Sequence, residues 1–200
     1  MFRNVICKSE GCNRFACGEE AYCAHHLSDA GELRDRLIAL FAQEEEIRDV
    51  TCTDLELSGL DLSGKRFSSC NFTGTSFRNC SFRNAEIEMC LFGFTHHEGS
   101  DFSQSDLKNC VFGASTLIGS TFADSTVIQC NFNGSRCEET DFSDSDLLHS
   151  RFVNARLSSV RFENCNLKEV FFLSSHRQQV SFRYSNEEDA HFTKEPHHLS

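Results

Sequence analysis

The chain has no tryptophan, only two tyrosines and a single proline, Pro196. It is also short of positive charge: 19 Lys and Arg stand against 30 Asp and Glu, a formal net charge of −11. Affinity for nucleic acid rests mainly on Lys and Arg neutralising phosphates, so this balance argues against a general phosphate-backbone binder. Long apolar runs are missing as well. No stretch approaches the roughly 20 apolar residues that span a bilayer, and the opening MFRNVICKSE lacks the apolar run of a secretory signal. Without an export signal, the 12 cysteines read as thiols or metal ligands. The expected compartment is the cytoplasm.

What the chain does have is phenylalanine, 20 of them in 200 residues, in a length that suits one sizeable domain with an accessory element. They are periodic. In residues 70–82, CNFTGTSFRNCSF, Phe72, Phe77 and Phe82 stand five apart, with Cys or Thr two positions before each. The register runs from Leu57 to Phe182, and every marked residue is apolar, counting Cys137, except His97 and Arg177. From residue 70 onward, the position two before each mark holds only Cys, Thr, Ala, Ser or Val. Neither a helix nor an alternating strand has a period of five. The chain must therefore return to the same environment at every fifth residue.

This pattern resembles the pentapeptide-repeat family, whose signature is a large apolar centre with a small residue two before it, over roughly residues 51–185. The resemblance implies an all-β fold: a right-handed, four-sided β-helix, one pentapeptide per side and four per coil. About six to seven coils would stack at the normal strand spacing of about 4.8 Å. The family favours Ala before Asp or Asn and Leu, whereas this chain uses Ser, Cys and Phe heavily, which alters packing more than topology. The expected organisation is a Cys/His zinc-binding segment (1–27), an amphipathic capping helix (28–49), the β-helix (50–185) and a C-terminal tail (186–200).

With four sides per coil, residues twenty apart form columns. Phe72, Phe92, Phe112, Phe132, Phe152 and Phe172 fill one wall, and Phe82, Phe102, Phe122, Phe142, Phe162 and Phe182 fill the facing one. Aliphatics from Ile87 to Leu167 fill a third. Cys70, Cys90, Cys110 and Cys130 share the small slot of successive coils. A redox ladder is conceivable there, since coil spacing falls within the disulfide range of about 4.4–6.8 Å; the reading taken is that Cys serves as a small buried hydrophobe. The fourth wall is irregular, carrying His97, Cys137 and Arg177. It reads either as a groove with His and Cys chemistry or as local bulges. The second is preferred, with the polar side chains swung outward and Phe94 or Leu173 filling the gap, because buried unpaired charge is expensive.

Residues 7–26, CKSEGCNRFACGEEAYCAHH, carry a second signal. Cys7, Cys12, Cys23 and His26 form two close pairs across a short loop, as a tetrahedral zinc site requires, with Gly11 and Gly18 for tight turns. The segment looks like the small Cys3His fingers appended to some bacterial and phage proteins, on Gly11-Cys12 and Tyr22-Cys23-x-x-His26. Cys17 or His25 could replace one of the outer ligands. A zinc-free, thiol-rich tail is the bland alternative. One structural zinc per chain is the expectation, because four protein ligands leave no open position for a substrate water. After it, Asp29 and Glu32 make a capping box. Leu33, Leu37, Leu40, Phe41 and Ile47 recur at helical spacing, so this helix is expected to cover the open first coil against edge pairing. At the far end Glu187 and His197 break the register while Phe192 keeps it.

No phosphate-cradling glycine loop, nucleophile elbow or paired-carboxylate motif occurs, and an enzyme is not expected. The leading expectation is a non-enzymatic protein-interaction scaffold with outward positions free to vary. Residues 86–146 hold eleven acidic residues against Lys108 and Arg136, a balance of −9, while residues 147–185 hold six basic against two acidic residues, a balance of +4. The acidic stretch feeds the alternative. Some pentapeptide-repeat proteins, linked to quinolone resistance and toxin immunity, mimic duplex DNA and dock on type II topoisomerases such as DNA gyrase. The resemblance thus implies a protein partner, with a topoisomerase as one candidate and a homodimer through the C-terminal end allowed. Neither direct nucleic-acid binding by the rod nor a membrane is expected.

Overall fold

A computed structural model describes residues 5–193. Its main body is an all-β parallel solenoid of about seven turns, preceded by one helix, α1 (Ala30–Gln43). Two walls are continuous parallel sheets. The seven-stranded one runs from Glu56–Ser58 to His176–Gln178, and the five-stranded one from Glu46–Arg48 to Thr126–Ile128. The two phenylalanine walls are held by isolated parallel bridges instead, from Thr51↔Asn71 to Arg151↔Phe171 and from Asp61↔Ser81 to Arg161↔Ser181. Each pairing joins residues twenty apart, as in Leu117↔Cys137 and Ile87↔Leu107. One pentad makes one side because the chain turns a corner two residues after every centre. There the backbone is left-handed, at Gly59, Gly64, Asn79, Asn84, Asn109 and Asn154 among others. Gly and Asn suit that conformation; Met89, Phe94 and Ala114 also adopt it at a cost in sterics.

The core is a pair of aromatic columns meeting edge to face. Phe92 and Phe112 lie 4.7 Å apart and 3° from parallel, as do Phe102 and Phe122 at 4.7 Å and 1°. Across the axis, Phe112 and Phe122 cross at 87° with centroids 5.8 Å apart. Both arrangements suit the ring quadrupole. The small slots do more than fill space. Their hydroxyls and thiols donate to the carbonyl 23 residues earlier, on the preceding coil: Ser125 Oγ to Phe102 O at 2.8 Å, Ser150 Oγ to Val127 O at 2.6 Å, Cys110 Sγ to Ile87 O at 3.3 Å. Alanine could not make these bonds, which accounts for the heavy use of Ser, Thr and Cys. Cys70, Cys90, Cys110 and Cys130 are free and buried, and the Cys70 amide donates to Cys90 Sγ at 3.4 Å.

Three expectations need correction. His97 does not swing outward. It is buried and stacks on Phe77 at 5.1 Å and 8°, while Phe94 and Leu173 are exposed rather than filling a gap. A neutral imidazole is flat and fits the aromatic column, so no charge is buried. Arg177 does reach solvent, with its guanidinium 4.7 Å from the Phe192 ring. Second, the segment expected as a helix over 28–49 is helical only to Gln43; Glu46–Arg48 is already a strand, with Ile47 opposite Phe67. Ile47 and Cys52 are both buried, so the five-residue register begins ten residues before Leu57. Third, the solenoid runs past 185. A 3-10 turn at Glu187–Asp189 replaces one wall, then His191–Phe192 pairs with Phe171–Phe172 and Phe192 stacks on Phe172 at 5.1 Å. Pro196 and His197 lie outside the described residues.

The N-terminal end is closed by two elements. Helix α1 has Asp29 as N-cap, accepting from the Glu32 amide at 2.9 Å. It buries Leu33, Leu37 and Phe41, and Phe41 meets Phe67 and Phe72 edge-on at 6.2 and 6.4 Å. Beside it the segment before residue 27 docks on the first coil: Gly18 N donates to Thr51 O at 2.7 Å, and Cys17 is buried against Thr53.

Candidate metal centre

The docked segment begins as a hairpin. Ile6 bridges Phe15 in antiparallel sense, Cys7 N donates to Arg14 O at 2.9 Å, and Cys12 N to Ser9 O at 3.1 Å, with Gly11 supplying the left-handed turn. A second turn follows, in which His26 N donates to Cys23 O at 2.9 Å. Folding one turn over the other brings Cys7, Cys12, Cys23 and His26 together, their ligand atoms all within 4.8 Å of one another. Cys12 Sγ and Cys23 Sγ are 3.9 Å apart, and His26 Nδ1 lies 3.5 Å from Cys7 Sγ and 3.4 Å from Cys23 Sγ. With metal–sulfur bonds of about 2.3 Å and metal–nitrogen bonds of about 2.0 Å, a tetrahedron has edges of about 3.8 and 3.5 Å. The donor set fits.

The two competing residues sit elsewhere. Cys17 Sγ faces the Thr53 carbonyl and hydroxyl, each at 3.4 Å, inside the core. His25 points to Asp54, its Nε2 3.8 Å from the carboxylate that also takes Arg14 at 3.1 Å. Spacing alone left these choices open because the ligand pairs are set by which way each turn presents its side chains.

The electrostatics favour a cation. At Cys7, burial pushes the thiol up, but hydrogen bonds with the backbone of Cys23 and Ser9 and with the His26 ring outweigh it and hold the thiol at about 6. Cys23 is pushed up by burial and by the neighbouring Cys7 and Cys12 sulfurs. Crowded thiols of this kind are stable as thiolates only around positive charge. A Cys7–His26 pair alone would read as a nucleophile and its base. Two more sulfurs on the same spot make a group that could hold a metal ion instead.

Among the described residues, two open depressions also lie on the rod. One of about 310 Å³ lies on the seven-stranded wall beside Arg136, Arg156 and His176, and one of about 490 Å³ lies at the corner of Asn109, Gln129, His149 and Arg151. No helix among the described residues is long and apolar enough to cross a membrane.

Comparison with known proteins agrees with this architecture. The family described as pentapeptide repeats matches in eight copies, over residues 49–88, 98–134 and 135–172. No curated protein matches the chain. Among solved structures, the chain is similar to QnrB1, a plasmid-mediated fluoroquinolone resistance protein, at 17% identity and a TM-score of 0.47, covering 71% of this chain and 79% of that one. It is also similar to HetL from the cyanobacterium Nostoc, a protein involved in heterocyst differentiation regulation, at 11% identity and a TM-score of 0.33, covering 82% and 97%. With matches spanning more than half its length, and with four walls and a twenty-residue coil, this chain belongs to the pentapeptide-repeat family.

Proposed function

We propose that the chain is a rigid, non-enzymatic scaffold for a protein partner, with its N-terminal end closed by one structural zinc held by Cys7, Cys12, Cys23 and His26. The observation that carries this reading is the position of the four-ligand cluster within the segment that docks on the first coil. Four protein ligands saturate a tetrahedral metal, so the ion ties two turns together and offers no place for a reacting water. The cap supports the rod in turn, since an uncovered first coil is an edge open to pairing. The walls leave their outward residues to recognition, as solenoids do.

Two measurements test this. Elemental analysis of chain purified without chelators should find one zinc, lost in a Cys12→Ser, Cys23→Ser variant; metal-free protein that melts identically with and without chelator would overturn the zinc assignment. For the scaffold, proteins captured with the intact chain should rebind saturably in purified form, and weaken when outward Asp101 and Asp141 are changed to Lys. Failure of every captured protein to rebind sinks that part.

A second reading, a DNA mimic directed at a type II topoisomerase, is favoured by the balance of −9 over residues 86–146. Against it, the carboxylates spread over several walls, and some are paired: Lys108 with Asp106 at 2.6 Å, Arg136 with Glu138 at 2.6 Å, and Arg161 with Asp141. A supercoiling assay with purified gyrase, with and without drug, decides. An unchanged gyrase at micromolar chain removes the mimic.

A further inference from the structure

One wall differs from the others in its outward chemistry. Over four successive coils the segments 69–74, 89–94, 109–114 and 129–134 contain no Asp, Glu, Lys, Arg or His, in a chain whose net charge is −11. The centre of this window is apolar. Leu91 and Val111 are half-buried, Met89 is 44% exposed and Phe94 is 72% exposed. Gly93 and Gly113 lie between them without a backbone reason: neither has positive φ, and a Cβ would sit 3.6 Å or more from its nearest neighbour. Phe94, by contrast, holds a left-handed corner, φ 57°, where an aromatic is disfavoured. A ring kept there and left in water, beside a smooth glycine floor, is the mark of a contact surface.

Charge selects the occupant. Above the window the same wall carries Asp49 and Asp54, the second already taken by Arg14 at 3.1 Å, and below it His149 and Arg151. We propose that this wall pairs with a second copy of the chain, antiparallel, about a two-fold axis midway between the coils of Leu91 and Val111. That operation sets Leu91 on the partner's Val111, lays Phe94 over the partner's Gly113 and Ala114, and sets Asn71 opposite the partner's Asn131. It also brings the Asp49 carboxylate of each strip toward His149 and Arg151 of the other. The contact is isologous and closes at two copies. A parallel arrangement would stack like charges instead, and the other walls would oppose ionised rows at close range. The strip is six coils, about 29 Å, tall at about 4.8 Å per coil, which places it at the small, weak end of specific interfaces.

Sedimentation equilibrium from micromolar to about 300 µM, a range suited to small interfaces, tests the pairing. The expected mass moves from that of one chain, 22.7 kDa, toward twice that value. Phe94→Asn should remain a monomer throughout while melting at least as high as the parent, because Asn accepts the left-handed corner. Gly113→Glu, which places charge in the window, should also stay monomeric, and Arg151→Glu should weaken pairing at least several-fold. A parent chain that is monomeric at every concentration overturns the proposal. So does a Phe94→Asn chain that dimerises like the parent, or a dimer lost on Phe192→Ser but kept in Phe94→Asn, which would locate contact at the C-terminal end.

Discussion

His97 shows how much one side chain inside the column decides. Thr95 Oγ1 donates to Phe92 O at 2.6 Å, so its lone pair accepts from His97 Nε2 at 3.1 Å. That bond sets the tautomer, and Nδ1 is left buried without a partner. Burial, with His96 nearby, holds the imidazole down at about 3, against an ordinary value of 6.5. The sign follows directly. Below pH 6.5 the unfolded chain takes up a proton that the folded chain refuses until about pH 3, so stability is lost as pH falls through that window. The loss reaches about 5 kcal/mol at most, once the pH is below both values. In urea titrations from pH 7.5 to 4, His97→Leu should remove this part of the acid sensitivity. It should also raise stability at neutral pH, since an orphaned buried acceptor costs about 1–3 kcal/mol. A variant with the parent's pH profile would show that His97 is not the group responsible.

At the scale of the wall, stacking and stitching act together. Phe122 sits between Phe102 at 4.7 Å and Phe142 at 4.8 Å and is fully buried. Phe122→Ala opens a cavity that a repeating wall cannot collapse into without shifting its neighbours, so a loss of about 3–5 kcal/mol is expected by denaturant unfolding. Three of the buried thiols, Cys90 and Cys110 in the cysteine column and Cys137 on the fourth wall, should be chemically quiet. Burial pushes the Cys90 and Cys110 thiols well above their ordinary range, and Cys137 up to about 12. In a native-state alkylation experiment these three should stay unmodified while denatured chain is labelled fully; rapid native labelling of Cys110 would mean that the wall opens. The register of these columns is legible in the sequence from Leu57 to Phe182. Its first two members, Ile47 and Cys52, fit the same count but were masked by the helical spacing from Leu33 to Phe41, which Ile47 happens to continue.

For the whole molecule, the cap would link the proposed zinc to stability. Phe41 closes the aromatic columns from above, and the finger adds its hydrogen bond to Thr51. On the zinc site proposed above, a strong chelator should therefore lower the melting temperature of the entire rod rather than loosen only its first residues, because parallel coils transmit order to their neighbours. Phe41→Asp should do the same and expose the first coil to edge-wise association, read as light scattering on warming. Unchanged melting in both cases would mean that the first coil does not depend on its cover.

The period of five determined the walls and the columns, because every pentad repeats the same local demand and errors cannot accumulate unseen. The spacing of residues 7–26 separately marked Cys7, Cys12, Cys23 and His26 as two close pairs. Tertiary structure alone decided that Cys17 turns into the core and His25 toward Asp54, because spacing sets reach and not direction. It decided, too, that His97 points inward: a neutral ring between Phe77 and Leu117 costs less than breaking two columns, and that comparison exists only once the coils are stacked.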